Sequence, residues 1–132
     1  MKTYVIDAGV LTLYFIGDKR VKPYMNEILD KSASGLISHV NLAEYYYKTC
    51  QKLGKDVAKT RYYWILSSPL KIVPTDEENT LMAGNFKCKY RDLLSLADCY
   101  TLSVAYLNNG ILLTTDSGLK ETKEVPVKYF KV

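Results

Sequence analysis

Short apolar runs alternate along the chain with longer stretches in which apolar residues recur every three or four positions. The short runs are typical of buried strands, and the longer spacing is typical of amphipathic helices. We predict strands at 2–6, 36–37, 70–73 and 111–114, with a candidate fifth at 127–130. We predict helices at 8–16, 23–30, 41–53, 56–66, 75–90 and 95–107.

Strands that alternate with helices indicate a parallel sheet covered by helices on both faces. The expected fold class is therefore α/β, a three-layer α/β/α sandwich with a central parallel sheet of four to five strands. The length of 132 residues suits a single domain, 1–132. Local signals predict several helix ends: residues 75–78 and 95–98 both have the spacing of a capping box, and Asn108-Asn109-Gly110 favours a left-handed cap.

Composition narrows the class of protein. No run approaches the roughly 18 apolar residues of a membrane helix, and Asp7 interrupts the N-terminal apolar run, which breaks the signal-peptide pattern. We therefore expect a cytoplasmic protein without a membrane partner. Cys50, Cys88 and Cys99 form an odd set without CxxC spacing, which favours reduced, packed thiols. Paired thiols are absent and there is only one His, so zinc is disfavoured.

Four acids occupy positions where a parallel sheet would gather ligands. Asp7 ends the first predicted strand and Asp116 follows the fourth, while Glu44 and Asp98 lie in first turns of helices expected on the same side. Carboxylates without His or Cys suit Mg²⁺ or Mn²⁺, and such ions activate water against phosphodiesters. If these four acids share a cavity, the ten others face 18 Lys and Arg residues, a surface that favours polyanions.

Each acid also has a structural explanation. Asp7 suits a helix N-cap, and Asp116 is a typical turn residue. Glu44 has capping-box spacing from Asn41 and stands four residues before Lys48, in the favourable ion-pair orientation. Asp98 also has capping-box spacing, from Ser95, but its helix is apolar nearly all round and offers no basic residue three or four positions away. A carboxylate there needs hydrogen bonds or a cation, so Asp98 is the most diagnostic acid.

The segments VIDAGVL, ISHVNLAEYYYK, LSLADCYTLSVA and LLTTDSGL occur in this order and span nearly the whole chain. Together they resemble the four motifs of PIN-domain nucleases, and more narrowly a VapC-type toxin ribonuclease of a prokaryotic toxin–antitoxin system. The resemblance implies a Mg²⁺- or Mn²⁺-dependent endoribonuclease that cuts RNA and is inhibited by a cognate protein antitoxin. The implied metal ligands, direct or through water, are Asp7, Glu44, Asp98 and Asp116.

The resemblance also implies supporting residues. Thr114 matches a hydroxyl that supports the site, and Ser38 and Asn41 occupy polar positions that orient Glu44. Family members often carry a further acid shortly after the fourth motif's Asp. Here Ser117, Gly118 and Leu119 follow, and Glu121 is an uncertain substitute, so a second metal ion stays open.

Basic and aromatic residues suggest contacts with partners, although solvated helix faces and ordinary cores also explain them. One basic run comprises Lys48, Lys52, Lys55, Lys59 and Arg61. A second run, Lys87, Lys89 and Arg91, directly precedes the third motif and is favoured slightly for RNA contact. By resemblance, Tyr46, Tyr62 and Trp64 suit a homodimer interface or antitoxin docking better than base stacking. His39 is open between a structural and a substrate-contacting role.

Two other functions share parts of this pattern. A housekeeping PIN nuclease in rRNA processing or RNA decay has every motif, although the short chain favours the toxin. A catalytically silent RNA-binding module would keep the fold, but the presence of all four acids argues against it.

Overall fold

The structure, a computed structural model, describes residues 1–132. Five parallel strands form one sheet in the order β3-β2-β1-β4-β5, and seven helices cover it. The strands are β1 Thr3–Ile6, β2 Ser34–Ser38, β3 Lys71–Val73, β4 Ile111–Thr114 and β5 Val127–Tyr129. The helices are α1 Ala8–Phe15, α2 Lys22–Leu29, α3 His39–Leu53, α4 Lys55–Ser67, α5 Glu77–Lys89, α6 Leu96–Leu107 and α7 Ser117–Thr122. The predicted α/β class and parallel sheet are confirmed.

Side chains of the central strand β1 alternate between the two faces of the sheet, and each face packs against a layer of helices. Tyr4 and Ile6 of β1 lie in a core cluster with apolar residues of α1 to α4, whereas Val5 lies in a second cluster with α5, α6 and α7. Side chains of successive strand residues point to opposite faces, so one apolar run supplies both cores. All three residues are at most 2% exposed, as a strand covered on both faces requires.

Two of the predicted helix starts are wrong. The cap of α3 is Ser38, whose hydroxyl accepts a hydrogen bond from Asn41 N at 3.0 Å, so the helix begins before the predicted Asn41. The cap of α5 is Asp76 rather than Thr75, and its carboxylate accepts from Asn79 N at 2.9 Å. Each region holds two residues that can cap a helix, Ser38 and Asn41 in the first and Thr75 and Asp76 in the second, and the backbone geometry selects one of them.

Other local predictions are confirmed. Ser95 and Asp98 form the reciprocal capping box of α6, and the left-handed residue after that helix is Asn109, with φ of 50°. Helix α7, of six residues, was not predicted because it is too short to show a helical period. No helix has both the length and the apolar character needed to cross a bilayer.

Because every strand is parallel, the carboxyl ends of β1, β2 and β4 lie at one edge of the sheet. Asp7 directly follows β1, Ser38 ends β2, and Asp116 follows β4 by two residues. The fold thus brings segments more than 100 residues apart to a single edge, where ligands of such sheets usually bind.

Candidate active site

Asp7 is held at the end of β1 by hydrogen bonds on both carboxylate oxygens. Oδ1 accepts from Val10 N at 2.9 Å and caps α1, while Oδ2 accepts from the Thr114 hydroxyl and from Thr115 N at 3.3 Å. The side chain is 5% exposed. Burial raises the pKa of Asp7 despite these hydrogen bonds, and the charge of Asp116 raises it further. The capping role and the proximity to a second acid therefore coexist.

Asp98 lies within electrostatic reach of Asp116. Its side chain is half-buried, and the charge of Asp116 acts on its carboxyl group. Burial, followed by the charge of Asp116, raises the pKa of Asp98 to about 6. Two ionised carboxylates within such reach repel each other unless a proton or a cation stands between them.

The Thr114 hydroxyl connects two of the acids. It donates to Asp7 Oδ2 and accepts a hydrogen bond from Asp116 N at 2.9 Å. Thr114 is fully buried, so this hydroxyl has a fixed position between the carboxyl end of β4 and Asp7. Thr114, which the resemblance implies supports the site, thus contacts both Asp7 and Asp116, the acids that follow neighbouring strands.

Gly118 allows the tight approach of α7 that positions Asp116. Its N–H donates to Asp116 Oδ1 at 2.7 Å. A Cβ at this position would stand 2.8 Å from the Leu93 carbonyl oxygen and 2.9 Å from Asp116 Oδ1. The backbone carbonyl cannot move without shifting the segment before α6, so only glycine fits here.

We expect Gly118→Ala to lower the free energy of unfolding by about 1–3 kcal/mol, because the added methyl group overpacks this contact. Urea denaturation followed by circular dichroism measures it. Gly84→Ala is the matched control: that glycine lies in α5, where an added methyl group would meet nothing within 4 Å. Alanine there should stabilise by roughly 0.5–1 kcal/mol. Equal effects at the two positions would contradict the packing account.

Asn41 ties the helix after Asp7 to the helix that carries Asp98. Its Oδ1 accepts from Ala8 N at 3.0 Å, and its Nδ2 donates to the Ala97 carbonyl at 3.0 Å and to the Thr101 hydroxyl. The side chain is 1% exposed. Neither Asn41 nor Ser38 makes a hydrogen bond to Glu44. The expectation that they orient Glu44 is therefore replaced by a different role, alignment of α1 and α6.

Glu44 takes no part in the hydrogen bonds around the three aspartates. Its Oε2 lies 3.8 Å from Lys48 Nζ, and the two side chains are 22% and 58% exposed. This is the i,i+4 ion pair that the sequence analysis predicted as a structural explanation of Glu44. Such a pair in solvent contributes less than about 1 kcal/mol, so it restrains Glu44 only weakly.

The acids at this edge of the sheet offer ligands for one hard divalent cation, but they do not form a complete coordination shell. No group of three or more carboxylates, imidazoles and thiols lies together in the form of a metal site. The Asp98–Asp116 pair nevertheless offers oxygen ligands only, with Asp7 close enough for its pKa to respond to Asp116. Oxygen donors with unbalanced negative charge suit Mg²⁺ or Mn²⁺. Glu121 is exposed on α7, and nothing in the structure connects it to these acids.

The second basic run is largely occupied by internal contacts. Lys87 Nζ donates to the carbonyls of Arg91 and Leu94 at 2.6 and 2.7 Å. Lys89 pairs with Glu124 at 2.7 Å, whereas the Arg91 side chain is 82% exposed and 3.5 Å from Asp92. Of the three residues proposed for RNA contact, Arg91 is the most accessible, and Lys87 serves to hold the loop between α5 and α6.

The aromatic residues divide between a cavity and the core. Tyr46 and Tyr62 line a mainly apolar cavity of about 440 Å³ between α3 and α4, together with His39. Trp64 instead packs against Tyr14 and Phe15, with ring centroids 5.7 and 5.3 Å apart. His39, Tyr46 and Tyr62 therefore share one cavity, whereas Trp64 belongs to the aromatic packing beside α1.

Sequence reasoning missed the roles of Asn41 and Thr101. Asn41 was recognised as polar and close to the second motif, but its partners are 33, 56 and 60 residues away. A polar residue in a first turn ordinarily indicates a cap. The apolar pattern around Thr101 was the available signal, because a buried hydroxyl in such a helix needs a partner.

Comparison with solved structures agrees with this fold. VapBC2 from Rickettsia felis, solved bound to a DNA fragment from its promoter, is 20% identical with a TM-score of 0.75, covering 96% of this chain and 98% of that one. DNA-bound VapBC from Salmonella typhimurium is 13% identical with a TM-score of 0.78, covering 98% of each chain. VapC20 from Mycobacterium tuberculosis, a sarcin-ricin loop cleaving toxin, is 14% identical with a TM-score of 0.73, covering 99% of this chain and 98% of that one.

At these low identities, the TM-scores establish a shared fold. No curated protein matches the chain in sequence. The family model of the PIN domain, however, matches residues 4–125, a span that contains all four acids. With that match, the five-stranded parallel sheet and the aspartates at its carboxyl edge, the chain belongs to the PIN-domain family.

Proposed function

We propose that the protein is a divalent-cation-dependent endoribonuclease, acting as the toxin of a type II toxin–antitoxin pair. The observation that carries the proposal is the gathering of aspartates at the carboxyl edge of the sheet, where the Thr114 hydroxyl joins Asp7 to Asp116. Burial and the charge of Asp116 raise the pKa of Asp98 beside them to about 6. A fold does not maintain such a group of acids for stability, because it costs free energy until a cation neutralises it. Membership in the PIN-domain family supports nucleic acid as the substrate.

Mg²⁺ or Mn²⁺ would be held by Asp7, Asp98 and Asp116, with Glu44 as a fourth ligand. The ion would supply activation of water and neutralisation of charge on the phosphodiester. Thr114 restrains the Asp7 carboxylate and Gly118 N restrains that of Asp116, which limits the motion of both acids. Three of these acids also cap or open helices, whose N-terminal dipoles partly offset the gathered negative charge.

Glu44 requires one rearrangement to join the other acids. Its exposed contact with Lys48 must break, which costs less than about 1 kcal/mol. A cation shared with three aspartates offers a much stronger attraction than a solvated ammonium at 3.8 Å. Glu44 is therefore proposed as the ligand that moves on cation binding.

A protein antitoxin and a second copy of the chain are the proposed partners. The structural neighbours from Rickettsia felis and Salmonella typhimurium are VapBC proteins by name, each solved bound to DNA. The apolar cavity lined by Tyr46 and Tyr62 offers a surface suited to protein contact. A cytoplasmic location follows from the proposed role in cutting cellular RNA.

The end groups of the RNA products test the proposed chemistry. If water is the nucleophile, RNA incubated with the protein and Mn²⁺ should yield 5′-phosphate and 3′-hydroxyl ends. End-specific ligation and mass spectrometry of a short RNA identify them. EDTA should abolish the products. Products with 2′,3′-cyclic phosphate ends, or cleavage that survives EDTA, would show attack by the ribose hydroxyl and would contradict the proposal.

A further inference from the structure

Two neighbouring cavities near Asp7 share two lysines, and together they form what we call the basic groove. The first, of about 380 Å³, is lined by Gly9 at the start of α1, by Thr115 after β4, and by Lys48 and Lys52 of α3. The second, of about 620 Å³, is lined by the same two lysines and by Arg61 of α4. Because both cavities are lined by Lys48 and Lys52, they adjoin each other, and together they extend from the residues next to Asp7 to Arg61 on α4.

The groove carries more available positive charge than the second basic run. Lys52 makes no ion pair, and the weak contact of Lys48 with Glu44 at 3.8 Å is its only one. Lys87 and Lys89, by contrast, are held at 2.6–2.7 Å by carbonyl oxygens and by Glu124. An ammonium already bound within the protein is less available for a phosphate.

Arg61 is fixed in place at the outer end of the groove. Its Nη1 donates to the Tyr45 hydroxyl at 3.2 Å, and its guanidinium carbon lies 4.9 Å above the centre of the Phe15 ring. These contacts occupy one N–H and one face of the planar group. The remaining donors are held without the entropy cost of ordering a free side chain, and guanidinium geometry matches phosphate.

We propose that this groove, defined by Lys48, Lys52 and Arg61, binds the phosphate backbone of the RNA segment adjoining the scissile bond. The inference rests on the proposed nuclease function and assigns the path that the substrate takes away from the aspartates. Three cations along one depression neutralise successive phosphates without reading sequence. The groove replaces the second basic run as the principal RNA contact.

Binding of a fluorescein-labelled single-stranded RNA of about 12 nucleotides tests the groove. Fluorescence anisotropy in EDTA, over a range of salt concentrations, separates binding from cleavage. We expect Lys48→Gln/Lys52→Gln to bind roughly tenfold more weakly at low salt. Its slope of log affinity against log salt should fall by about 1.4, since each lost phosphate contact removes about 0.7.

Lys22→Gln/Lys71→Gln is the control, because it removes the same charge at two exposed positions on α2 and β3. It should retain the wild-type slope. Lys52→Gln alone leaves Glu44 and its partner intact and should show about half of the change in slope. Equal affinity and slope in the groove and control variants would overturn the inference, even if the wild type cleaves RNA. Groove-dependent binding by a wild type that cleaves nothing would support the groove and refute the proposed nuclease.

Discussion

Asp98→Asn should make the cation-free protein more stable while removing its ability to cleave RNA. Asparagine keeps the shape of the side chain and can still accept the hydrogen bond from Ser95 N, which stands at 3.2 Å from Oδ2. It removes the repulsion from Asp116. Because Asp98 is only partly buried, solvent screening limits the expected gain at pH 8 to about 1–2 kcal/mol. Chemical denaturation in EDTA measures it.

The gain should depend on pH with a defined sign. Folding raises the pKa of Asp98 from 3.8 to about 6, so the folded state favours the protonated carboxyl. The stability from this group is fully present below pH 3.8 and is lost as the pH rises through about 6. Asparagine imitates the protonated form. The free energy of unfolding of Asp98→Asn should therefore exceed that of the wild type at pH 8 and approach it near pH 4.

Cation binding should make the wild type more stable than Asp98→Asn, the reverse of the order expected in EDTA. A cation that binds the folded wild type at 100 times its dissociation constant adds about 2.7 kcal/mol, whereas the variant should gain much less. Asp92→Asn is the control, since its side chain is 91% exposed and lies outside the site. A variant that is less stable than the wild type in EDTA at pH 8 would contradict the account of carboxylate repulsion.

Asn41→Leu should cause the largest loss of stability, about 3 kcal/mol. The substitution leaves the Ala8 N–H without its buried acceptor and removes both donor contacts to α6. Each buried polar group left without a partner costs about 1–3 kcal/mol. RNA cleavage should fall by tenfold or more, because α1 and α6 lose the link that aligns Asp7 with Asp98. Urea denaturation and a single-turnover cleavage assay measure the two effects.

Asn85→Leu provides the comparison for Asn41, because Asn85 is exposed on α5. It should change stability by less than about 0.5 kcal/mol. If Asn41→Leu does not fold, Thr101→Val removes only one of the three contacts and should lower both stability and cleavage by a smaller amount. Full cleavage by folded variants at both positions, 41 and 101, would show that the bridge does not position the acids.

The fold was predictable because its signals are local. Apolar runs such as residues 111–114 match buried strands, and the helices between them show a clear period. The strand-end positions of Asp7 and Asp116 follow directly from that pattern. The order of the strands and the choice of Asp76 over Thr75 as a cap depend on backbone geometry that the pattern does not contain.

The sequence identified the candidate acids, but it did not predict the hydrogen bonds and packing contacts around them. The sequence singled out Asp98 as an acid on an apolar helix, and the structure places it beside Asp116 with a raised pKa. The structure confirms the capping-box explanation of Asp98, and its role as a cation ligand stays a prediction. The bridging role of Asn41 and the internal use of Lys87 arise from long-range packing, which leaves no periodic signal in the sequence.

Cleavage of total RNA by the purified protein, free of any partner, tests the central claim most directly. With Mg²⁺ or Mn²⁺ the wild type should cut a defined RNA class, and Asp7→Asn and Asp98→Asn should each lower the rate by about 100-fold or more. Both variants should remain folded, as circular dichroism would show. If the wild type cuts no RNA in either metal, or if both variants retain its full rate, the aspartates do not form a metallonuclease site.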